Sequence, residues 1–439
     1  MNTIDKKAGE ILPDEDDILQ KAKTMSLSIR EGYFGGLAQS LADQFITPYA
    51  YNLQLSPTQM GIFISLLGII SPLGQILGSH RMKTNSRRRV VLRGVFFQSM
   101  IWPLIILLGV LAINDIIISF LPIFLICFYT LYSFLGSTTA PSWFSLMGDI
   151  VPEDHRGRYF SKRNLLITAI SISISFLLSI ALEEFNRFDN VFFGFFIIFS
   201  IAFISRMISF FYLTRHYYPH FTIEKDSYLS LKKFLNQIPN SNFGLFTLFM
   251  TTFFFCVHIG APYVGYYMLD ELKFSYIEYV LVNISTPLLS LLFYPLLGYL
   301  SDKYGNAIIL RICGLILPSV PILWIIFNNP LQLIFGPQIV SAFAWTGVNL
   351  SASNFVYDNI PKQQRGFYIA YFNFFIGCGV LFGGLLGSFL LNIVPIIFLS
   401  VYETLFLISG ICRFFVDITF LFRIKEVRVK RGKEFEDKN

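Results

Sequence analysis

The sequence contains few charged residues. Only 14% of its 439 residues are Asp, Glu, Lys or Arg, whereas 54% are hydrophobic. Soluble globular chains carry about 25% charged residues, so a soluble multi-domain protein is disfavoured. The uncharged stretches instead reach about 20 residues, the length that an α-helix needs to cross a bilayer. We therefore expect an all-α membrane protein.

Cysteine pairs and nucleotide-binding motifs are also missing. The five cysteines lie far apart within apolar stretches, which is typical of buried packing residues and argues against a disulfide framework or a zinc site. No G-x-x-x-x-G-K-[ST] motif occurs, so we do not expect this chain to hydrolyse ATP. The outer loops are mostly a few residues long and hold no cluster of His or carboxylate residues. The sequence thus predicts no cofactor, no metal site and no catalytic residues.

An internal repeat divides the chain into two halves. The string GDIVPEDHRG, which contains Asp149 and Arg156, reappears in reduced form as YDNIPKQQRG, which contains Asp358 and Arg365. Each of these residues recurs 209 positions later. A spacing of nearly half the chain indicates two long homologous halves instead of a short solenoid repeat.

Twelve apolar segments follow from the hydrophobicity pattern, six in each half. The first, about Ile29–Tyr51, is the least apolar, and the last covers about Val401–Phe422. The predicted organisation is a tail at 1–27, a six-helix bundle at 28–214, a central loop at 215–242, a second six-helix bundle at 243–424 and a basic tail at 425–439.

The positions of the basic residues predict the orientation in the membrane. Most of the 34 Lys and Arg residues fall in the two tails and in loops on the same side as the tails. Only Arg187 and Lys273 fall in loops on the opposite side. Because cytoplasmic loops are enriched in Lys and Arg, we predict a multi-pass protein of the cell membrane with both termini in the cytoplasm. The net charge of +6 then reflects topology, and a nucleic-acid partner is not expected.

Two loops give the chain a family resemblance. In the second half, GYLSDKYGN, with Gly298, Asp302 and Lys303, is similar to the loop between helices 2 and 3 that marks the major facilitator superfamily. The equivalent first-half string, GQILGSHRMKTNSRRR, keeps Gly74 and the basic run but has Gly78 at the acidic position. The resemblance implies twelve transmembrane helices in two pseudo-symmetric six-helix bundles, with helices 1, 4, 7 and 10 around a central cavity.

The resemblance also implies a function. Members of this superfamily are secondary transporters, in which two bundles rock about a site near the middle of the membrane, as expected for related halves. We therefore predict a transporter of a small solute in the lipid bilayer and leave proton coupling open. The alternatives are a non-transporting receptor or scaffold on the same fold, or a polytopic membrane enzyme. The enzyme is disfavoured because no catalytic constellation is visible.

Three residues are candidates for binding protons or substrate near the middle of the membrane. Asp43 lies about 14 residues into the first segment, and an ionisable group at that depth is costly unless it has a function. His258 is the only histidine inside a segment, and alignment of the halves places it opposite Gln44. Imidazole can change its charge near neutral pH. The alternative is that Asp43 and His258 are structural residues with satisfied hydrogen bonds.

Segments 8 and 10 supply further candidates. Gln338, Ser341, Trp345 and Asn349 recur at helical spacing, so one polar face of segment 10 could line a cavity, and Asn283 in segment 8 is similar. The alternative is ordinary hydrogen bonding between helices. No cluster of basic residues lies at this depth, which disfavours organic phosphates and favours a neutral or amphipathic solute.

Charged residues outside these positions are assigned structural or gating roles. Asp149, Arg156, Asp302, Lys303, Asp358 and Arg365 lie in loops between segments, and we interpret them as conformational gates. Arg413 and Asp417 are one helical turn apart in segment 12, which predicts an ion pair between them.

Overall fold

The fold is helical throughout the part of the chain that the structure describes. That part of the computed structural model comprises residues 15–82, 84–152, 155–219, 234–236, 238, 241–360, 365–394 and 400–426. These ranges contain α-helices, short 3-10 and π-helical turns, and no strand. The prediction of an all-α protein is confirmed.

Fourteen main helices occur in the described ranges. They are α1 (Glu15–Asn52), α2 (Pro57–Arg81), α3 (Arg87–Ser99), α4 (Ile101–Ile113), α5 (Leu121–Ile150), α6 (Arg156–Arg187), α7 (Val191–Thr214), α8 (Asn242–Gly260), α9 (Tyr276–Tyr304), α10 (Asn306–Ile316), α11 (Ser319–Ile326), α12 (Ile339–Asn359), α13 (Arg365–Ile393) and α14 (Val401–Phe420).

Serine begins several of these helices. Ser56 before α2, Ser275 before α9 and Ser400 before α14 each accept a hydrogen bond from the backbone N–H three residues later. The side-chain oxygen of a Gln or Glu at that later position accepts a hydrogen bond from the serine N–H. This reciprocal capping box satisfies two backbone donors that the first helical turn leaves unpaired. The sequence therefore specifies where these helices begin.

Proline accompanies several departures from regular α-helix. Pro262 lies in the 3-10 turn Ala261–Tyr263 after α8, and Pro337 lies in the π-helical turn Ile334–Gln338 before α12. Proline lacks a backbone donor and clashes with the preceding turn, which favours a kink or a change of helix type at that point. Segments 7 and 10 are thus spans in which the helix type changes partway.

Ten helical stretches in the described ranges are long and apolar enough to cross a membrane. Two of the twelve predicted segments do not reach that standard. Segment 12 forms α14, which carries Glu403, Arg413 and Asp417 within its 20 residues. Segment 1 forms α1, which is polar and begins at Glu15, well before the predicted start near Ile29. That α1 and α14 also cross the membrane stays a prediction.

Helices α2 and α13 join the two halves along an extended contact. Small residues allow this contact to be close. A Cβ atom on Gly68 would lie 2.0 Å from the Val380 side chain, and one on Gly384 would lie 2.0 Å from the hydroxyl of Ser65. A second contact between the halves joins α6 to α9.

Glycines at a spacing of four residues also bring α13 against α8. A Cβ atom on Gly379, Gly383 or Gly387 would approach a carbonyl oxygen of α8 within 2.1 to 2.4 Å. Only glycine permits such proximity of the two backbones, as in other tightly packed membrane helices. At these three glycines α13 therefore packs directly on the backbone of α8.

The remaining packing surrounds two internal spaces. In the first half, α1 packs on α6 and α7, and α5 packs on α2 and α3. In the second half, α12 packs on α9 and α10, while α14 packs on α8 and α11. Each arrangement leaves a cavity between its helices, and the buried Glu31 lines the first cavity and the buried Arg413 the second.

Candidate functional site

Asp43 lies on α1 with its side chain exposed. Its Oδ1 accepts a hydrogen bond of 2.9 Å from Nε2 of Gln39, one helical turn earlier and also exposed. The two side chains thus form an open polar face on an otherwise packed helix. An exposed carboxylate within a transmembrane helix is costly in lipid and inexpensive in a water-filled cavity, so this face fits a solvated cavity.

Two tyrosines of α5 accompany Asp43. Tyr129 and Tyr132 are buried, and each interacts electrostatically with the Asp43 carboxylate. Their rings stack on each other at a centroid distance of 5.3 Å, and Trp102 meets Tyr132 edge-on at 5.0 Å. The carboxylate therefore lies beside a rigid aromatic wall, because three large rings fix one another in place.

His258 and Gln44 are half-buried. Nδ1 of His258 lies 3.0 Å from the Phe254 carbonyl oxygen, and the two rings stack. A carbonyl only accepts, so Nδ1 carries the hydrogen, and Nε2 of the neutral ring is the free acceptor. Among the described residues no hydrogen bond or ion pair joins Asp43 to His258. The structure gives Gln44 and His258 no shared contact.

Gln338 is buried, and both its amide oxygen and its amide nitrogen form hydrogen bonds with a neighbouring helix. Its Oε1 accepts a bond of 2.8 Å from Thr286, and its Nε2 donates a bond of 2.7 Å to the carbonyl of Val282. Both partners belong to α9. For this residue the geometry favours the alternative interpretation, which is hydrogen bonding between helices.

A cavity of about 440 Å³ lies inside the second half. Four sequence candidates line it, namely Asn283, Gln338, Ser341 and Trp345, together with Trp324 and Arg413. Asn283 donates a hydrogen bond to the carbonyl of Tyr279 in its own helix. The structure therefore brings half of the predicted binding residues to one cavity. This size falls in the range of small-molecule sites.

The predicted ion pair between Arg413 and Asp417 is wrong. Both side chains are buried, yet no ion pair joins them in the described part of the chain. Arg413 donates one long bond of 3.4 Å to the Val257 carbonyl, and its Nε has no partner there. Neither carboxylate oxygen of Asp417 has a hydrogen-bond partner. Helical spacing places the residues on one face, but the guanidinium lies along the cavity wall instead.

A second cavity, of about 370 Å³, lies inside the first half, and its charged residues were missed by sequence reasoning. Glu31 pairs with Arg163 at 3.1 Å and accepts a bond of 2.8 Å from Ser209. Arg206 donates twice to Oε1 of Gln98, at 2.9 and 2.6 Å. The sequence signal that could have indicated this network is Gln98, a polar residue inside an apolar segment.

Basic residues contact Asp149 and the end of α5. Asp149 pairs with Arg87 of α3 at 2.5 Å, and Arg87 also donates to the Pro219 carbonyl. Arg156 donates to the carbonyl oxygens of Gly148 and Val151, the last turn of α5. These contacts tie α3 and the start of α6 to the end of α5.

The remaining predicted gate residues are Asp302, Lys303, Asp358 and Arg365. Asp302 and Lys303 are exposed at the end of α9, where Gly305 adopts a φ of 99° that favours glycine. The ammonium of Lys303 lies 5.2 Å from the Tyr304 ring centroid. The side chains of Asp358 and Arg365 lie outside the described residues.

Hydrogen bonds join the two halves at the side where α1 ends and α9 begins. Tyr266 donates to the Leu55 carbonyl over 2.7 Å, and Asn52 donates to the hydroxyl of Tyr276 over 2.7 Å. The Tyr276 N–H donates to Glu183 over 2.9 Å. Helices α1, α6 and α9 thus meet at this side of the molecule.

Contact between the halves also extends toward the side where α1 begins. There Asn373 of α13 donates to Gln75 of α2 over 3.4 Å, a weaker bond than those at the opposite side. The exposed Asp43 and Gln39 lie between these two levels on α1. Among the described residues, these hydrogen bonds between the halves are shorter at the side where α1 ends than at the level of Gln75 and Asn373.

The sequence matches one protein family over most of its length. The family model of the Major Facilitator Superfamily matches residues 33–282 and 246–439. No curated protein matches the sequence at a significant level.

Several solved transporter structures share the fold at low sequence identity. The nucleoside transporter NupG has a TM-score of 0.65 and 15% identity, covering 92% of this chain and 100% of its own. A bacterial homologue of the iron transporter ferroportin in an inward-facing state has a TM-score of 0.68 and 16% identity, covering 92% and 99%. A POT family transporter in complex with a thioalcohol conjugated peptide has a TM-score of 0.71 and 13% identity, covering 93% and 100%.

Proposed function

Because the chain belongs to the Major Facilitator Superfamily, we propose that it is a secondary active transporter that moves a small solute by alternating access. The chain is a multi-pass membrane protein, and its structural neighbours are transporters of chemically different solutes. Their identities are at most 16%, so they support the fold and leave the solute open.

The proposal rests chiefly on the combination of an exposed Asp43 with halves that are bonded more tightly at one side. Alternating access requires that a central site reach one side of the membrane while the other is sealed. The strong bonds of Asn52, Tyr266 and Tyr276 supply the seal. Asp43 and Gln39 supply polar groups in the accessible region.

The arrangement proposed for the whole chain is twelve transmembrane helices in two six-helix bundles, at 28–214 and 243–424, joined by a cytoplasmic loop at 215–242. In this arrangement α1 and α14 cross the membrane despite their polar residues, because those residues face cavities instead of lipid. With both termini in the cytoplasm, the sealed side is extracellular. The structure then corresponds to a state open toward the cytoplasm.

We further propose that Asp43 carries the coupling proton. A carboxylate that interacts electrostatically with the buried Tyr129 and Tyr132, and that forms no ion pair among the described residues, gains little from staying charged once the cavity closes around it. Protonation would then accompany closure. Solute binding and proton binding are linked in this way without direct contact between the two ligands.

The test begins with a thermal-shift screen of purified protein against metabolites and drugs at two pH values. A ligand of the native state raises the unfolding midpoint by mass action. Hits then enter a flux assay in proteoliposomes with and without an imposed pH gradient. We expect wild-type flux to follow the gradient and Asp43→Asn to bind solute but lose gradient-driven flux.

The matched control is Asp189→Asn. Asp189 lies in the exposed loop between α6 and α7 with a φ of 57°, a conformation that Asn also tolerates. This variant should transport like the wild type. Gradient-driven flux in Asp43→Asn would reject the coupling role and direct attention to His258. A protein with ligands but no flux in any variant would favour the receptor or scaffold alternative.

A further inference from the structure

The second-half cavity contains a buried cation whose hydrogen-bonding capacity is largely unused. Arg413 is 6% exposed, and its guanidinium has five N–H donors. In the described part of the chain it makes one bond of 3.4 Å, to the Val257 carbonyl, and its Nε has no partner. Asp417, one helical turn away, interacts with Arg413 electrostatically but forms no hydrogen bond or ion pair with it in the described part of the chain. A buried cation whose donors are unused is costly within a membrane protein, so such a group is expected to have a ligand.

The rest of the cavity wall has the character of a small-molecule site. Trp324, Trp345 and Phe406 provide flat apolar surface, while Asn283 and Ser341 provide uncharged polar groups. Among the described lining residues Arg413 is the charged one. The cavity therefore offers one positive charge, two or three hydrogen-bonding groups and an aromatic wall.

We propose that this cavity binds a small amphipathic monocarboxylate, with its carboxylate on Arg413 and its apolar body against Trp324 and Trp345. A planar carboxylate matches the fork of a guanidinium and accepts two parallel hydrogen bonds. One negative charge neutralises the one positive charge of the cavity. A multiply charged anion would leave excess buried charge, and a neutral solute would leave the cation unpaired.

This site is distinct from the polar face at Asp43. Its lining residues all belong to the second half, between Val257 and Arg413, whereas Asp43 is on α1 in the first half. The proposal therefore does not depend on proton coupling or on transport. Binding alone tests it, so failure here and failure of the transport assays are separate results.

The probe is 3-phenylpropionate, with its uncharged amide as the matched comparison. The acid is ionised at pH 7, because carboxyl groups titrate near pH 4. Trp324 and Trp345 line the cavity, so binding is read from intrinsic tryptophan fluorescence of the full-length protein in detergent. We expect the acid to bind at least tenfold more tightly than the amide, and Trp324→Phe to reduce the signal.

Arg413→Gln should weaken binding of the acid at least tenfold and remove its preference over the amide, as expected for loss of a charged hydrogen bond. Arg413→Lys should restore part of that preference. The matched control is Arg206→Gln in the first half, 207 positions earlier. This variant should keep the preference for the acid over the amide. If Arg413→Gln does not fold, the acid-to-amide ratio in the wild type remains decisive.

Two results would overturn the proposal. The first is equal binding of acid and amide by the wild-type protein. The second is tight binding of the acid by folded Arg413→Gln. In either case Arg413 would be a structural cation, and the cavity would carry no carboxylate site.

Discussion

Arg206 and Arg413 occupy related positions in the two halves, yet their surroundings differ. Arg206 is held by Gln98 through two bonds and lies in a cavity that also contains the Glu31–Arg163 pair. Arg413 has one long bond to a carbonyl and no carboxylate within ion-pair distance among the described residues. The first arginine is satisfied by the fold, and the second is not.

The two cavities thus differ in how far the fold satisfies the charges that line them. A buried charge that is fully bonded fixes its neighbours and leaves nothing for a ligand. A buried charge that keeps free donors destabilises the empty protein but can gain from binding. We infer that the Glu31–Arg163 and Arg206–Gln98 contacts are structural and that Arg413 belongs to a binding site, and the following predictions test that inference.

The largest expected effect is from Glu31→Gln. The side chains of Arg163 and Glu31 are 13% and 6% exposed, and this change removes the negative charge of the pair. Breaking a buried pair leaves an uncompensated charge and costs about 3–5 kcal/mol. Chemical unfolding in detergent micelles, followed by fluorescence, measures this loss.

The control for Glu31→Gln is Glu184→Gln. Glu184 pairs with Arg187 across exposed side chains, 53% and 62% accessible. Such pairs contribute little, so the unfolding midpoint should stay unchanged. A wild-type midpoint in Glu31→Gln as well would mean that the first-half network does not stabilise the fold.

The next largest effect is expected from Arg206→Met. The variant loses the two bonds to Gln98 and leaves that buried amide oxygen without its donor. Leaving a buried acceptor unsatisfied costs about 1–3 kcal/mol, so the unfolding free energy should fall by about 2 kcal/mol. The same unfolding titration measures it. A change below 0.5 kcal/mol, on the order of a surface substitution, would contradict the structural role.

Arg413→Met is expected to have a smaller effect on stability, of either sign. It removes a buried cation with one weak bond and replaces it with an apolar side chain of similar length. Replacing buried charge by hydrophobic residues is often neutral or stabilising. We expect a change within about 1 kcal/mol without ligand. A loss as large as that of Arg206→Met would erase the contrast between the halves.

The smallest expected effect is a pH dependence from His216, which follows α7 outside the membrane-spanning stretch. Burial lowers the pKa of His216 below its usual value of 6.5, with opposing contributions from Glu31 and Arg163. The unfolded chain then binds a proton more readily than the folded one. Stability should therefore fall as the pH decreases through 6.5, by at most about 1.4 kcal/mol per pH unit for one proton.

Unfolding titrations at several pH values between 5 and 8 measure this slope. His216→Gln should show a flatter profile than the wild type, because the residue that titrates is absent. Parallel profiles for the two proteins would assign the pH dependence to other groups.

The helices and the family were predictable from local sequence, whereas the charge networks were not. Apolar segments of about 20 residues and serine caps are short-range signals, and they gave most helix bounds to within a few residues. Residues 15–27 were predicted to lie in the tail, because their charges resemble a solvated segment. In the structure they extend α1, with Lys21 paired to Asp17 one turn earlier.

The binding candidates show the same division. Asn283, Gln338 and Trp345 were chosen because polar and aromatic residues recurred at helical spacing, and they do reach one cavity. Spacing could not show that Gln338 bonds to Thr286 and Val282 of another helix. It also predicted the wrong partner for Arg413, because proximity along a helix does not fix where a long side chain points.

The sequence by itself determined the membrane class, the family, the duplication and the approximate helices, because hydrophobic length and repeated motifs are encoded locally. Only the tertiary structure decided which charges are satisfied. Glu31 meets Arg163 and Ser209 from 132 and 178 residues away. Such contacts depend on how helices pack, and the free energy of a buried charge depends on every group around it.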